Sequence, residues 1–230
     1  MHFPDIPRPS ALLFDFDGVL AQSEDTHLNA WVLAAESVCN IKLSQDQLNL
    51  LRGQNTATIL RSISEFARKS LDRAALFQAK ELHLCETADQ VKVFPGVADL
   101  LSTLVKQALP HAVVSNSRRK FIEGVFAHNK IAPPPLIAAE DVRSPKPAPE
   151  PYLRAAQLLK LDLREYSKAW VFEDSFTGIR SAKAASMHPF GIRTHFDDRY
   201  LKNAGALVTF ADIAEAFEAL RRAAVIRSSS

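Results

Sequence analysis

Apolar residues follow two regimes along this chain of 230 residues. In the first, short apolar runs are separated by longer segments with helical spacing. The runs Ala11–Phe14, Ala112–Ser115, Leu136–Ala138, Ala169–Phe172, Phe190–Arg193 and Ala206–Val208 predict strands. Strands buried on both faces read as continuous apolar stretches, and turn residues bound them. Between them Val97–Gln107, after Pro95-Gly96, and Lys120–His128, Glu150–Lys160 and Thr177–Ala185 predict helices. Strand and helix alternating this often implies a parallel sheet with helices on both faces.

The second regime runs from about Ser23 to Gln90, with helical periodicity and no strand pattern. The stretch "THLNAWVLAAESV" places Leu28, Trp31, Val32 and Ala35 on one face, the i, i+3, i+4, i+7 spacing of an amphipathic helix. The stretches "TATILRSISEFARKSL" and "RAALFQAKELHL" behave alike. Pro95-Gly96 marks the return to alternation. The expected fold is α/β, with a Rossmann-like parallel-sheet core in three α/β/α layers over residues 1–20 and 93–230. A small all-helical domain is inserted over residues 21–92, a lid built over the sheet. Only the C-terminal Arg-Ser-Ser-Ser looks unstructured.

Composition narrows the function classes. With 47% hydrophobic residues the chain can fill a sizeable core. A net charge of +2, with no block of like charges, argues against nucleic acid or a membrane surface as partner. Cys39 and Cys85 form no CxxC, which points to a reducing compartment. The opening "MHFPDIPRPS" lacks a signal-peptide pattern, and no apolar run nears the ~18 residues of a membrane span. A soluble, cytoplasmic protein is expected.

In an open parallel sheet, ligands bind beyond the carboxyl ends of the strands. The first predicted strand ends in Asp15 and Asp17, the second in Ser115, Asn116 and Ser117, and the fourth in Glu173 and Asp174. Lys146 sits in the proline cluster "SPKPAPEP". Each has a plain structural reading when taken alone. Asp-Gly is a turn pair, acids suit a helix start, a serine caps a helix, and a lysine is solvated. His27 reads as a packing residue and Trp31 as core. His83, His111, His128, His188 and His195 form no metal-spaced pair and receive no role.

Their joint occurrence points elsewhere. Four acids on one rim repel unless a cation sits among them. Carboxylates, a backbone carbonyl and water are the ligands Mg²⁺ prefers. A lysine adds fixed positive charge, and a hydroxyl with free amides can hold phosphoryl oxygens. That set describes phosphoryl transfer, which runs mostly on positioning and charge stabilisation. One aspartate can attack phosphorus while the other passes the proton.

These motifs resemble those of the haloacid dehalogenase superfamily of Mg²⁺-dependent phosphohydrolases, in the branch holding β-phosphoglucomutase and small sugar-phosphate phosphatases. The strand followed by Asp-x-Asp-Gly is "LLFDFDGVLAQSE", the strand ending in serine is "AVVSNS", the lysine motif is "KPAPEP", and the acidic strand end is "VFEDSFTG". All four occur in order. The resemblance implies Asp15 as the nucleophile that becomes an aspartyl-phosphate. It implies Asp17 as general acid and then base, with its backbone carbonyl on Mg²⁺, and Glu173 and Asp174 completing the metal site. Ser115 and the amide of Asn116 would bind the phosphoryl group, with Lys146 offsetting charge. The helical insert resembles the family's small cap, where His27 would help place the second aspartate, Trp31 would lie near substrate, and Ser23 falls in the hinge. Thr56 stands where the mutase carries an arginine that grips a second phosphate, and Arg52 is a candidate substitute, with Gln54 and Asn55 as further contacts. Losing that clamp favours a phosphatase over a mutase.

The expectation is therefore a monomeric phosphatase acting on a small phosphorylated metabolite, a sugar phosphate. The alternatives are a phosphosugar mutase and, from another class, a phospho-accepting signalling module. The latter arranges its acids, hydroxyl and lysine in a different chain order and lacks a helical lid.

Overall fold

Leu12–Phe14 forms the first strand, β1, fully buried along its length. The computed structural model describes residues 3–227 apart from 53, 55 and 69. Five further strands follow: β2 (His111–Val114), β3 (Leu136–Ile137), β4 (Trp170–Glu173), β5 (His188–Ile192) and β6 (Thr209–Phe210). They form one parallel sheet in the order β3-β2-β1-β4-β5-β6. The chain builds outward on one side of β1 and then crosses to the other. That reversal is where an open α/β sheet forms a crevice at its strand ends. Phe14 pairs with Val113 of β2 and Phe172 of β4, so the three strands end level around it.

The helices are α1 (Glu24–Cys39), α2 (Gln45–Leu51), α3 (Thr56–Ala67), α4 (Arg73–Glu86), α5 (Val97–Lys106), α6 (Arg119–His128), α7 (Glu150–Leu158), α8 (Phe176–Ala184), α9 (Asp198–Ala204) and α10 (Ile213–Arg222). Among the described residues no helix is long and apolar enough to cross a membrane. Alternate strand positions face opposite layers. Leu13, Val114 and Val171 pack with Tyr152 and Ala155 of α7 and Ala182 of α8. On the other face, Phe14, Phe172 and Phe190 stack with ring centroids 5.3 and 5.5 Å apart. The three-layer α/β/α arrangement expected from the alternation is present.

The chain divides into two compact units, residues 1–22 with 92–230 and residues 23–91. The second contains helices and no strand among its described residues. Its core gathers Leu28, Trp31, Ala35, Leu51, Ile63 and Leu76. Ser44 and Gln47 form a capping box at the start of α2, and Asp72 caps α4, each satisfying backbone N–H groups that have no partner within the helix.

Two readings need correction. The expected strand Ala206–Val208 is displaced to Thr209–Phe210. Gly205, at φ 116°, ends α9, and Ala206 N–H donates back to Leu201 O at 3.1 Å, so the apolar run begins as a helix cap. Helices α9 and α10 had no named counterpart in the pattern, although Asp197 and Asp212 cap them. Of the C-terminal Arg-Ser-Ser-Ser, the three serines lie outside the described residues.

Candidate active site

At the end of β1 the ladder runs one residue further: Asp15 N–H donates to Phe172 O at 2.9 Å. The chain then turns back. Leu20 and Ala21 N–H both donate to Phe16 O, and Gly18 N–H donates to Ala21 O, each at 2.9 Å. Gly18 adopts φ +77°, the left-handed region a glycine enters without strain. A Cβ there would also overlap the Asp174 carboxylate. The glycine after the two aspartates therefore serves both the turn and the approach of β1 to β4.

Lys146 reads as a surface residue when taken alone, yet it is 6% exposed. Its Nζ donates to Asp15 Oδ1 at 2.5 Å, Glu173 Oε1 at 2.7 Å and Val114 O at 2.7 Å. Its loop is held by Asn116, whose Oδ1 accepts from Lys146 N–H at 3.2 Å and whose Nδ2 donates to Lys146 O at 3.5 Å. The strand ends and the lysine loop thus converge on one buried cluster.

The acids are held differently. Glu173 accepts on Oε1 from Lys146 and from Tyr152 Oη (3.1 Å), and on Oε2 from Ser175 N–H (3.0 Å) and Oγ (2.8 Å). It anchors the lysine and the start of α8. Asp15 Oδ2 and Asp174 Oδ1 take no hydrogen bond from any described residue. Asp17 Oδ2 accepts from Ser117 Oγ at 2.6 Å and Ser115 Oγ at 3.2 Å. Of these two hydroxyls, Ser117, given no role in the sequence reading, makes the shorter contact. Ser115 Oγ also accepts from Ser117 N–H at 2.9 Å.

Ligand atoms of Asp15, Glu173 and Asp174 lie within 4.8 Å of one another. Burial raises the Asp15 carboxyl well above the usual range. Lys146 opposes the rise, and the Glu173, Asp174 and Asp17 charges add to it. Burial pushes Asp174 up to about 6 against the hydrogen bond from His195, with Glu173 and Asp17 adding repulsion. Lys146 is desolvated as well, yet the charges of Asp15 and Glu173 hold its ammonium pKa well above the ordinary value. One lysine does not neutralise this cluster. Oxygen donors with unengaged lone pairs and a surplus of negative charge suit a hard divalent cation.

Besides Ser117, two further residues of the site are not marked by the sequence pattern. His195 Nδ1 lies 3.0 Å from Asp174 Oδ2. Histidine spacing offered no signal, but His195 follows a predicted strand end, the same criterion that selected the acids. Tyr152 is buried on α7 with Lys146 Nζ 4.9 Å from its ring centroid; nothing in its sequence neighbourhood marks it.

In the helical unit, His27 is half-buried on α1. Trp31 is buried in that unit's core with Lys80 Nζ 5.7 Å from its ring centroid. Arg52 pairs with Asp25 at 2.7 Å. Gln54 and Thr56 are exposed, and Asn55 lies outside the described residues.

Residues 12–192 match the family model for haloacid dehalogenase-like hydrolases. The chain is 31% identical over 191 residues to fructose-1-phosphate phosphatase YqaB of Escherichia coli, covering 81% of this chain and 97% of that protein. It is 30% identical over 194 residues to hexitol phosphatase A of the same bacterium, covering 83% and 86%. Among solved structures, a hydrolase from Pseudomonas syringae shares the fold with a TM-score of 0.77 at 22% identity, over 92% of this chain and 98% of that one.

Proposed function

This chain belongs to the haloacid dehalogenase-like hydrolases, and on that footing we propose that it hydrolyses the phosphate ester of a small phosphorylated sugar, with Asp15 as phosphoryl acceptor and Mg²⁺ as its cation. The observation that carries this reading is the buried Asp15, held by Lys146 on one oxygen and within reach of Asp174.

Lys146 fixes Oδ1 of Asp15, which leaves Oδ2 to attack phosphorus. The bond from phosphorus to the leaving oxygen breaks, and Asp17 gives that oxygen a proton. Asp17 then takes a proton from water, the water oxygen attacks the aspartyl-phosphate at phosphorus, and the bond to Asp15 breaks to release phosphate. Ser115 and Ser117 hold Asp17 by Oδ2, and Oδ1 is the oxygen that passes the proton. The Ser115 hydroxyl and the Asn116 amide hold phosphoryl oxygens, and the Lys146 ammonium offsets their charge. Asp15, Glu173, Asp174 and the Asp17 carbonyl would hold the cation, with Glu173 also anchoring Lys146. When bound, that cation supplies the positive charge that the acids and the phosphoryl oxygens share.

The sugar-phosphate reading leans on the names of the phosphatases above. Hydrolysis rather than mutase chemistry leans on Thr56 in place of a phosphate-gripping arginine. His27, Trp31, Arg52 and Thr56 belong to the proposal as substrate contacts. For Arg52 that contact competes with its pairing to Asp25.

A screen of phosphate release across phosphorylated metabolites, with and without Mg²⁺, tests the proposal. Mg²⁺-dependent release by the wild type and its loss in Asp15→Asn are expected. Turnover retained by Asp15→Asn sinks the nucleophile assignment. Stimulation by a sugar bisphosphate without phosphate release contradicts hydrolysis.

A further inference from the structure

The loop after β5 contributes two residues for which the mechanism above has no task. Thr194 Oγ1 donates to Gly18 O at 2.5 Å. His195 Nδ1 lies 3.0 Å from Asp174 Oδ2, and because a carboxylate only accepts, the imidazole proton sits on Nδ1. Gly18 lies between them: a Cβ there would overlap Asp174 Oδ2 and come within 3.1 Å of His195 Cε1. The imidazole and the carboxylate therefore pack against bare backbone, and three strand-end loops, after β1, β4 and β5, meet at one point.

The acids of the cluster are not equally supported. Asp15 is held by Lys146, and Glu173 by four hydrogen bonds, two on each oxygen. Asp174 has one donor among the described residues, His195. Without it, no hydrogen bond from a described residue holds this carboxylate by one oxygen.

We propose that His195 is a positioning residue of the cation site, holding Asp174 by one oxygen so that the other is available to the cation. The Thr194 contact with Gly18 keeps the β5 loop in place for this. The inference rests on the cation-dependent reading above. Residues that hydrogen-bond a metal ligand commonly account for 10–100-fold in metal affinity.

Amide substitutions separate position from bulk. In His195→Asn the side-chain nitrogen can stand where Nδ1 stands; in His195→Gln it moves out to the place of Nε2. Calorimetric titration with MgCl₂, in the absence of substrate, should show binding weakened roughly 10–100-fold in His195→Gln and His195→Ala, and near wild-type affinity in His195→Asn. Circular dichroism confirms folding of each variant, and His195→Gln keeps the comparison if the alanine variant fails to fold. Equal Mg²⁺ affinity in wild type and His195→Gln overturns the inference, as does an asparagine variant as weak as glutamine. A wild type that binds no Mg²⁺ instead overturns the underlying cation reading.

Discussion

Lys146 is the positive charge around which the acids are arranged, and removing it isolates the effect of that charge. Lys146→Ala leaves Asp15 and Glu173 buried without a counter-charge. Truncating one member of a buried ion pair generally costs about 3–5 kcal/mol. Urea unfolding in chelator should show a loss of that order, and phosphate release should disappear. Asp174 gives a pH prediction of definite sign. Its carboxyl is raised to about 6 in the fold from 3.8, so between those values the folded state binds more protons than the unfolded chain. Stability therefore falls as pH rises through that window and levels off above it. In chelator, the difference between Asp174→Asn and wild type should widen in favour of the variant by about 1 kcal/mol from pH 5 to pH 7. A difference independent of pH contradicts this.

Single residues were legible in the sequence only through company. Asp15, Asp17, Ser115, Lys146, Glu173 and Asp174 each have a bland reading, and only their common place at strand ends overrides it. The burial of Lys146 and the four bonds on Glu173 depend on how distant loops meet, which local pattern does not encode. Tyr152 is the extreme case, a core-facing aromatic whose hydroxyl happens to meet Glu173.

At the scale of elements, α8 couples helix formation to the site. Ser175 accepts from Gly178 N–H at 3.0 Å as the cap and donates to Glu173 Oε2 at 2.8 Å. Ser175→Ala removes both contacts. A lost cap alone is worth about 1 kcal/mol, and the denaturation midpoint should fall accordingly with an unchanged m-value. Gly178 meets a stricter demand, because a Cβ there would overlap the Glu173 carboxylate. Gly178→Ala should reduce activity more than Ser175→Ala, by displacing Glu173 from Lys146. The strands were legible because a run buried on both faces is unmistakably apolar. The error at β6 arose where an apolar run served first as a cap. Helix α10, by contrast, carries Ile213, Ala216, Phe217 and Leu220 at helical spacing, a periodicity that the sequence itself displays.

At the scale of the molecule, the two tryptophans fall in different units, Trp31 in the helical one and Trp170 in the one bearing the acids. In a Trp31→Phe background, fluorescence follows the acid-bearing unit alone. Mg²⁺ at about 100 times its dissociation constant should stabilise that unit by about 2.7 kcal/mol, and Asp174→Asn should remove the gain. No gain in the parent protein would count against a cation held there. The central claim concerns where the phosphoryl group goes, and it is best tested where hydrolysis of the intermediate is blocked. With acetyl phosphate the leaving group needs no proton, so Asp17→Asn should permit phosphoryl transfer while slowing attack by water. Acid quench in Mg²⁺, followed by peptide mass spectrometry, should find the phosphoryl adduct on Asp15. An unmodified Asp15, from a compound that the wild-type protein turns over, would contradict the account.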